Sequence, residues 1–193
     1  MALRAPMRVD KVPEPLLGQV QAVQALAAAL AACQEGGDRT GVLERERRAR
    51  KREQDCAEAL KSLAVHQPWL ELGARLSEAA YQLGWAVEES SHFDVVPEPD
   101  LASMGRLLEQ GFSFLFEAFK TFADMEPCSR ELIKAKQAAG EAALIYRASR
   151  RQRLDRSRVV DALKAEEINR RLYRAAAELD EAADSLAQAM AAR

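Results

Sequence analysis

Residues 100–122 read DLASMGRLLEQGFSFLFEAFKTF, and the fold is decided here. Leu101, Met104, Leu108, Gly111, Phe112, Leu115, Phe116, Phe119 and Phe122 recur in steps of three and four. That spacing lays one apolar stripe along an α-helix. Four phenylalanines on one stripe could line an apolar ligand pocket. Aromatic residues at helical spacing are also how bundles fill their centres, and we read these as core.

Working outward, the same periodicity returns through most of the chain between Pro15 and Met190. Short breaks fall at Gly36-Gly37-Asp38, Gln67-Pro68, Val95 to Asp100, Glu126-Pro127 and Asp155-Arg156-Ser157. A first helix, about Pro15 to Glu35, carries Leu16, Val20, Val23, Ala27 and Leu30. Gly36-Gly37 stops it, and Asp38 or Thr40 can cap the next. A second helix, about Asp38 to Val65, has a charged first half in which Glu44 pairs with Arg48 and Glu46 with Arg50 at i,i+4. Cys56, Ala57, Leu60 and Leu63 give its second half an apolar face. The third starts at Pro68, a residue suited to a first helical turn. It presents Leu72, Leu76, Leu83 and Val87, and Gly73 and Gly84 on it suggest close helix approach.

Ser91 to Asp100 reads as the loop joining the halves, with Val95-Val96 unpaired and His92 at the surface. The fourth helix spans Asp100 to Ala123. A fifth, Pro127 to Leu154, uses Leu132, Ala135, Ala139, Ala143 and Tyr146. The sixth, Ser157 to Met190, runs through Val160, Leu163, Ile168, Leu172, Ala176, Leu179, Ala183, Leu186 and Met190. Each half is a medium helix, a charged helix and a long helix, and repeated helix groups mark stacked bundles. The sequence therefore predicts an all-α six-helix bundle built from two three-helix repeats, about 15–92 and about 100–191. Residues 1–193 form a single domain in this reading, and 1–14 form a flexible N-terminal segment.

Composition narrows function. The chain is 48% apolar and 30% charged with a net charge of −2, so no overall basic field draws nucleic acid. Cys33, Cys56 and Cys128 lack CxxC spacing, which argues for reduced thiols in a cytoplasmic setting. The N-terminal residues lack an apolar signal core. The most apolar run, Ala25 to Cys33, is shorter than the roughly 20 residues of a membrane span, and the chain reads as soluble.

Catalytic patterns are sparse. His66 and His92 are the two histidines, and neither a G-x-S-x-G elbow nor a glycine-rich phosphate loop occurs. The paired Glu-x-x-His steps of carboxylate-metal bundles are missing, since Glu89-Ser90-Ser91-His92 stands alone. Asp180 with Asp184, Asp55 with Glu58, and Glu178 with Glu181 read as solvated faces rather than ligand pairs. Basic residues cluster at Arg45 to Arg52 and at Arg147 to Arg158, with Arg170, Arg171 and Arg174. Two readings stand for them: ion pairs within the chain, or forks for phosphate, carboxylate or anionic lipid heads. Arg45, Arg47, Arg48, Arg150 and Arg151 are the candidate contacts. No aromatic residues interleave them, which disfavours nucleic acid.

The helix order, with particular stretches, resembles the PhoU-like family, and more closely its Pit-accessory branch, the DUF47 proteins. The resemblance covers roughly Leu16 to Met190. Glu53-Gln54-Asp55-Cys56-Ala57-Glu58-Ala59-Leu60 looks like the acidic step of that family's second helix. Glu141-Ala142-Ala143-Leu144-Ile145-Tyr146-Arg147 looks like a copy that keeps the glutamate and has lost the aspartate. Ser77-Glu78-Ala79-Ala80-Tyr81-Gln82 and Tyr173-Arg174-Ala175-Ala176-Ala177-Glu178 stand where the family has aspartate-rich steps. The resemblance implies Glu53, Asp55 and Glu141 as remnants of a metal site that holds iron, zinc or manganese in family members. A hard cation needs several converging oxygens, so we expect an eroded site, no cofactor, and arginines of the second helix paired with these acids.

The function implied is a non-enzymatic accessory or regulator of inorganic phosphate transport, acting by protein contact at the cytoplasmic membrane face. Its expected partners are a phosphate transporter or sensor and anionic lipid, with a second copy of the chain as a further candidate. The alternatives are a helical scaffold unrelated to phosphate and, more weakly, a carboxylate-metal enzyme of ferritin-like type.

Overall fold

A computed structural model describes residues 11–63, 67–92, 98–153 and 159–191, with the side chains of 151–153 left aside. Within them the chain forms α1 (Glu14–Gln34), α2 (Arg39–Ser62), α3 (Gln67–His92), α4 (Pro99–Lys120), α5 (Met125–Arg153) and α6 (Val159–Ala191). No strand occurs among the described residues, so the fold is all-α.

Local chemistry sets most helix ends. Pro15 and Pro99 sit in the first turns of α1 and α4, where a missing N–H costs nothing. Gly36 takes a left-handed φ of 82°, and Gly37 N–H donates to the Ala32 carbonyl at 2.9 Å, which closes α1. Asp38 then caps α2, accepting from the N–H groups of Thr40 and Gly41.

Some expected breaks move. Glu126-Pro127 lies inside α5, because the first helical N–H groups have no intrahelical partner and a proline is tolerated there. The interruption falls at 121–124 instead. Gln67 already belongs to α3, and that helix continues through Ser91 and His92 into the expected loop. The Val95-Val96 loop, His66, the 155–157 break and residues 1–10 lie outside the described residues.

Packing surrounds α1. Leu16, Val20, Val23, Leu26 and Leu30 are fully buried, and α1 touches α2, α3 and α4. The remaining contacts are α2–α3, α4–α5, α4–α6, α5–α6 and α3–α6. The α4 stripe is core as expected: Met104, Leu108, Phe112 and Leu115 are fully buried, and Phe122 stacks edge-on against Trp69 at 5.3 Å. Val160 and Leu163 are not core. Each is 64% exposed, and the stripe of α6 is buried only from Ala165 onward.

By length and hydropathy α1 would suffice to cross a membrane, which corrects the reading based on its longest unbroken apolar run. Alanines and leucines carry it past the glutamines that interrupt that run. In the fold this apolar surface faces other helices: 56% of its most apolar window is buried.

The α1–α4 contact depends on Gly105. A side chain there would lie 3.2–3.3 Å from the backbone of Ala31, and a helix backbone cannot yield as a side-chain tip can. We expect Gly105→Val to lower unfolding free energy by about 2 kcal/mol in a urea titration. Gly140→Ala, where nothing lies within 4 Å, should raise it by about 1 kcal/mol.

Candidate functional site

The densest polar arrangement in the interior lies between α1, α2 and α3. Gln19 replaces an apolar residue on the buried face of α1, between Leu16 and Val23, and is fully buried. Its Nε2 donates to Glu53 Oε1 of α2 at 3.1 Å, to Ser77 Oγ of α3 at 3.2 Å and to the Gly73 carbonyl at 3.4 Å. Ser77 Oγ in turn donates to Glu53 Oε1 at 2.6 Å. Gly73 makes the convergence possible, since a side chain there would collide with Leu60 and crowd Gln19.

This arrangement leaves acceptors over. Among the described residues, both hydrogen bonds to Glu53 end on Oε1. Gln19 Oε1 is buried without a partner. No cation among the described residues pairs with Glu53, although the residue is only 7% exposed. A cleft of about 550 Å³ ends against Gln19, Gly73 and Ser77, walled by Ala57, Leu60 and Leu70.

The charged half of α2 divides in two. Arg45, Arg47 and Arg48 are exposed; Arg48 pairs with Glu44, and Arg45 Nε donates to the Gly41 carbonyl at 3.2 Å. Arg52 donates to Gln21 Oε1 at 2.6 Å. Together Arg45, Arg48 and Arg52 rim a groove of about 320 Å³ floored by Ala22, Ala25 and Ala29. The inward side holds Glu46, which pairs with Arg50. Arg50 lies over Gly84, where a side chain would displace it, and reaches Glu88 at 3.3 Å. The solvated helix read from sequence is thus half buried, and carboxylates occupy its inner face. Burial pushes the Glu46 carboxyl above its ordinary value of 4.5, against the opposing pull of Arg50.

The remaining positions implied by the resemblance do not converge with Glu53. Asp55 is exposed and lines a separate cleft with Arg52 and Cys56, and Glu141 is exposed on α5. No group of three or more His, Cys, Asp or Glu that could hold a metal ion occurs among the described residues. The expected pairing of α2 arginines with these acids is corrected for Glu53: Gln19 and Ser77 hold it, while the arginines turn to Glu44, Glu46, Glu88 and Gln21. Two sequence pairs instead grip cations of their own chain. Asp180 and Asp184 hold Lys136 at 3.0 and 2.7 Å, and Glu178 and Glu181 hold Arg75 at 3.2 and 3.8 Å.

Of the second basic cluster, Arg150 is exposed and lies 3.7 Å from Glu166, while the side chain of Arg151 is outside the described residues. Arg171 bridges Glu89 at 3.0 Å and Glu167 at 3.2 Å, and its guanidinium lies over Trp85. His92 is exposed, its Nδ1 2.8 Å from the Glu88 carbonyl. The thiols are free; Cys56 sits in the notch left by Gly18, where burial pushes its pKa up.

Compared with family models, with curated proteins and with solved structures, the chain finds no match in any of the three. Sequence reading missed Gln19, and it named Ser77 only within a stretch where the resembled family has acids. Gln19 left a signal, a polar side chain on an otherwise apolar face.

The raised Glu46 value has a defined consequence. The folded chain binds this proton more tightly than the unfolded chain, so the carboxyl weakens the fold as pH rises above about 4.5 and through its raised folded value. The stability difference Glu46→Gln minus wild type should therefore increase between about pH 4 and pH 7, measured by urea unfolding at several pH values. A flat or falling difference would contradict the assignment.

Proposed function

We propose that this chain is a PhoU-like, non-enzymatic accessory protein of inorganic phosphate transport, built from two three-helix repeats and working by contact at the cytoplasmic membrane face. The symmetry of helix packing carries the reading. α1 meets α2 and α3, and α2 meets α3; α4 meets α5 and α6, and α5 meets α6. The joins between halves are α1–α4 and α3–α6, which pair first with first and third with third. Exchange of the two triplets leaves that contact pattern unchanged, as a duplicated unit requires. The phosphate connection rests on the resemblance of the Glu53 to Leu60 and Glu141 to Arg147 stretches to the DUF47 branch.

Action by contact is favoured by the outer face of α2. Arg45, Arg47 and Arg48 are exposed, and the alanine-floored groove rimmed by Arg45, Arg48 and Arg52 suits a ligand with an anionic head and an apolar flank. Acidic phospholipid at the membrane, or an acidic segment of a transporter, meets that description.

Sedimentation with phosphatidylglycerol vesicles tests the contact. The wild-type chain should bind them, lose binding as salt is raised, and ignore phosphatidylcholine vesicles. Each basic residue contributes about 1 kcal/mol at such a surface, so Arg45→Gln, Arg47→Gln and Arg48→Gln together should weaken binding about a hundredfold. Unchanged association removes the role from this face. Capture of a phosphate transporter from native membranes by the wild-type chain separates the proposed function from that of a scaffold unrelated to phosphate.

A further inference from the structure

We infer that the cleft between α1, α2 and α3 is a binding site for a small linear aliphatic amine, whose ammonium group sits against Gln19 and Ser77, with the Glu53 carboxylate behind them. Three observations lead to this chemistry. First, charge: Glu53 is buried with two neutral donors and no ion-pair partner among the described residues. Lys61, the basic residue on the cleft, stands eight residues farther along α2, about 12 Å away along the helix axis. A buried carboxylate is costly without a counter-charge, and an incoming cation supplies one.

Second, hydrogen bonding distinguishes an ammonium from other cations. Where the cleft meets Gln19 and Ser77 it offers acceptors in excess of donors: the unpartnered Gln19 Oε1 and the Ser77 oxygen, with Glu53 hydrogen-bonded behind both. A primary ammonium carries three N–H donors and no acceptor. An anion or a carbonyl compound would meet acceptors facing acceptors. Third, shape: the walls are the aliphatic side chains of Ala57, Leu60, Leu70 and Ala74, which suit a methylene chain. The exposed rim carries Glu78, placed to meet a second amino group on a longer ligand.

The site is separate from the arginine face of α2, since the cleft and the arginine-rimmed groove share no lining residue. Its recognition of amines is separate from any role in phosphate transport.

Isothermal titration calorimetry of the full chain with n-butylammonium and putrescine tests the inference, with n-butanol and tetramethylammonium as controls. Both amines should bind saturably; neither control should, since one lacks charge and the other lacks N–H donors. Glu53→Gln keeps the shape and removes the charge, and should weaken binding by about tenfold or more. Ala74→Trp fills the cleft from an exposed position and should abolish binding while leaving the circular dichroism melt intact. The inference is overturned if neither amine gives saturable heat. It is equally overturned if tetramethylammonium binds as tightly, or if both folded variants retain wild-type affinity.

Discussion

The distance between α1 and α4 governs the whole bundle. Helices pack at 8–10 Å depending on the side chains at their contact, and here the contact is glycine against alanine backbone. With Gly105 against Ala31, α1 is drawn deep enough to touch three helices at once. Its alanines supply little bulk, so leucines from α3 and α4 fill the space on either side. A larger residue at the seam would push α1 outward and separate the triplets that it joins.

The two triplets solve their interiors differently. Between α1, α2 and α3 the chain places Gln19, Glu53 and Ser77, with Glu46 and Arg50 farther along α2. Between α4, α5 and α6 the corresponding space is apolar: Gly111 leaves room for Leu179 beside Ala138. One half therefore holds its charged helix by directed hydrogen bonds and ion pairs, whose strength falls steeply with misalignment. The other packs hydrocarbon around Gly111 and keeps its ion pairs, Lys136 with Asp180 and Asp184, on partly exposed side chains. A polar interior specifies helix register more narrowly, and it also retains chemistry that a hydrocarbon core has lost.

Much of the helical layout was legible in sequence because each stripe of leucine, alanine and phenylalanine repeats at helical spacing. Boundaries were less so. Pro127 looked like a stop and is the third residue of a helix, since proline is compatible with a first turn. Val160 and Leu163 fit the stripe of α6 but are exposed, because periodicity marks a face without saying how far along it the neighbouring helices cover it. The polar cluster was half visible. Glu53 stood out by resemblance, whereas its partners come from α1 and α3, residues 34 and 24 positions away. Local pattern does not encode which helices meet, and a charged run such as Glu44 to Glu53 shows no inner face until its neighbours are in place.

The small notch at Gly18 joins a surface cleft to the seam between α1 and α2. Cys56 fits its sulfur into that notch while staying half-buried on the cleft it shares with Arg52 and Asp55. Burial raises the pKa of this thiol and so lowers the share of thiolate, the form that reacts. The fold therefore slows alkylation here without closing the sulfur off, and a label at Cys56 would sit on the same α1–α2 interface that holds the Gln19–Glu53 contact.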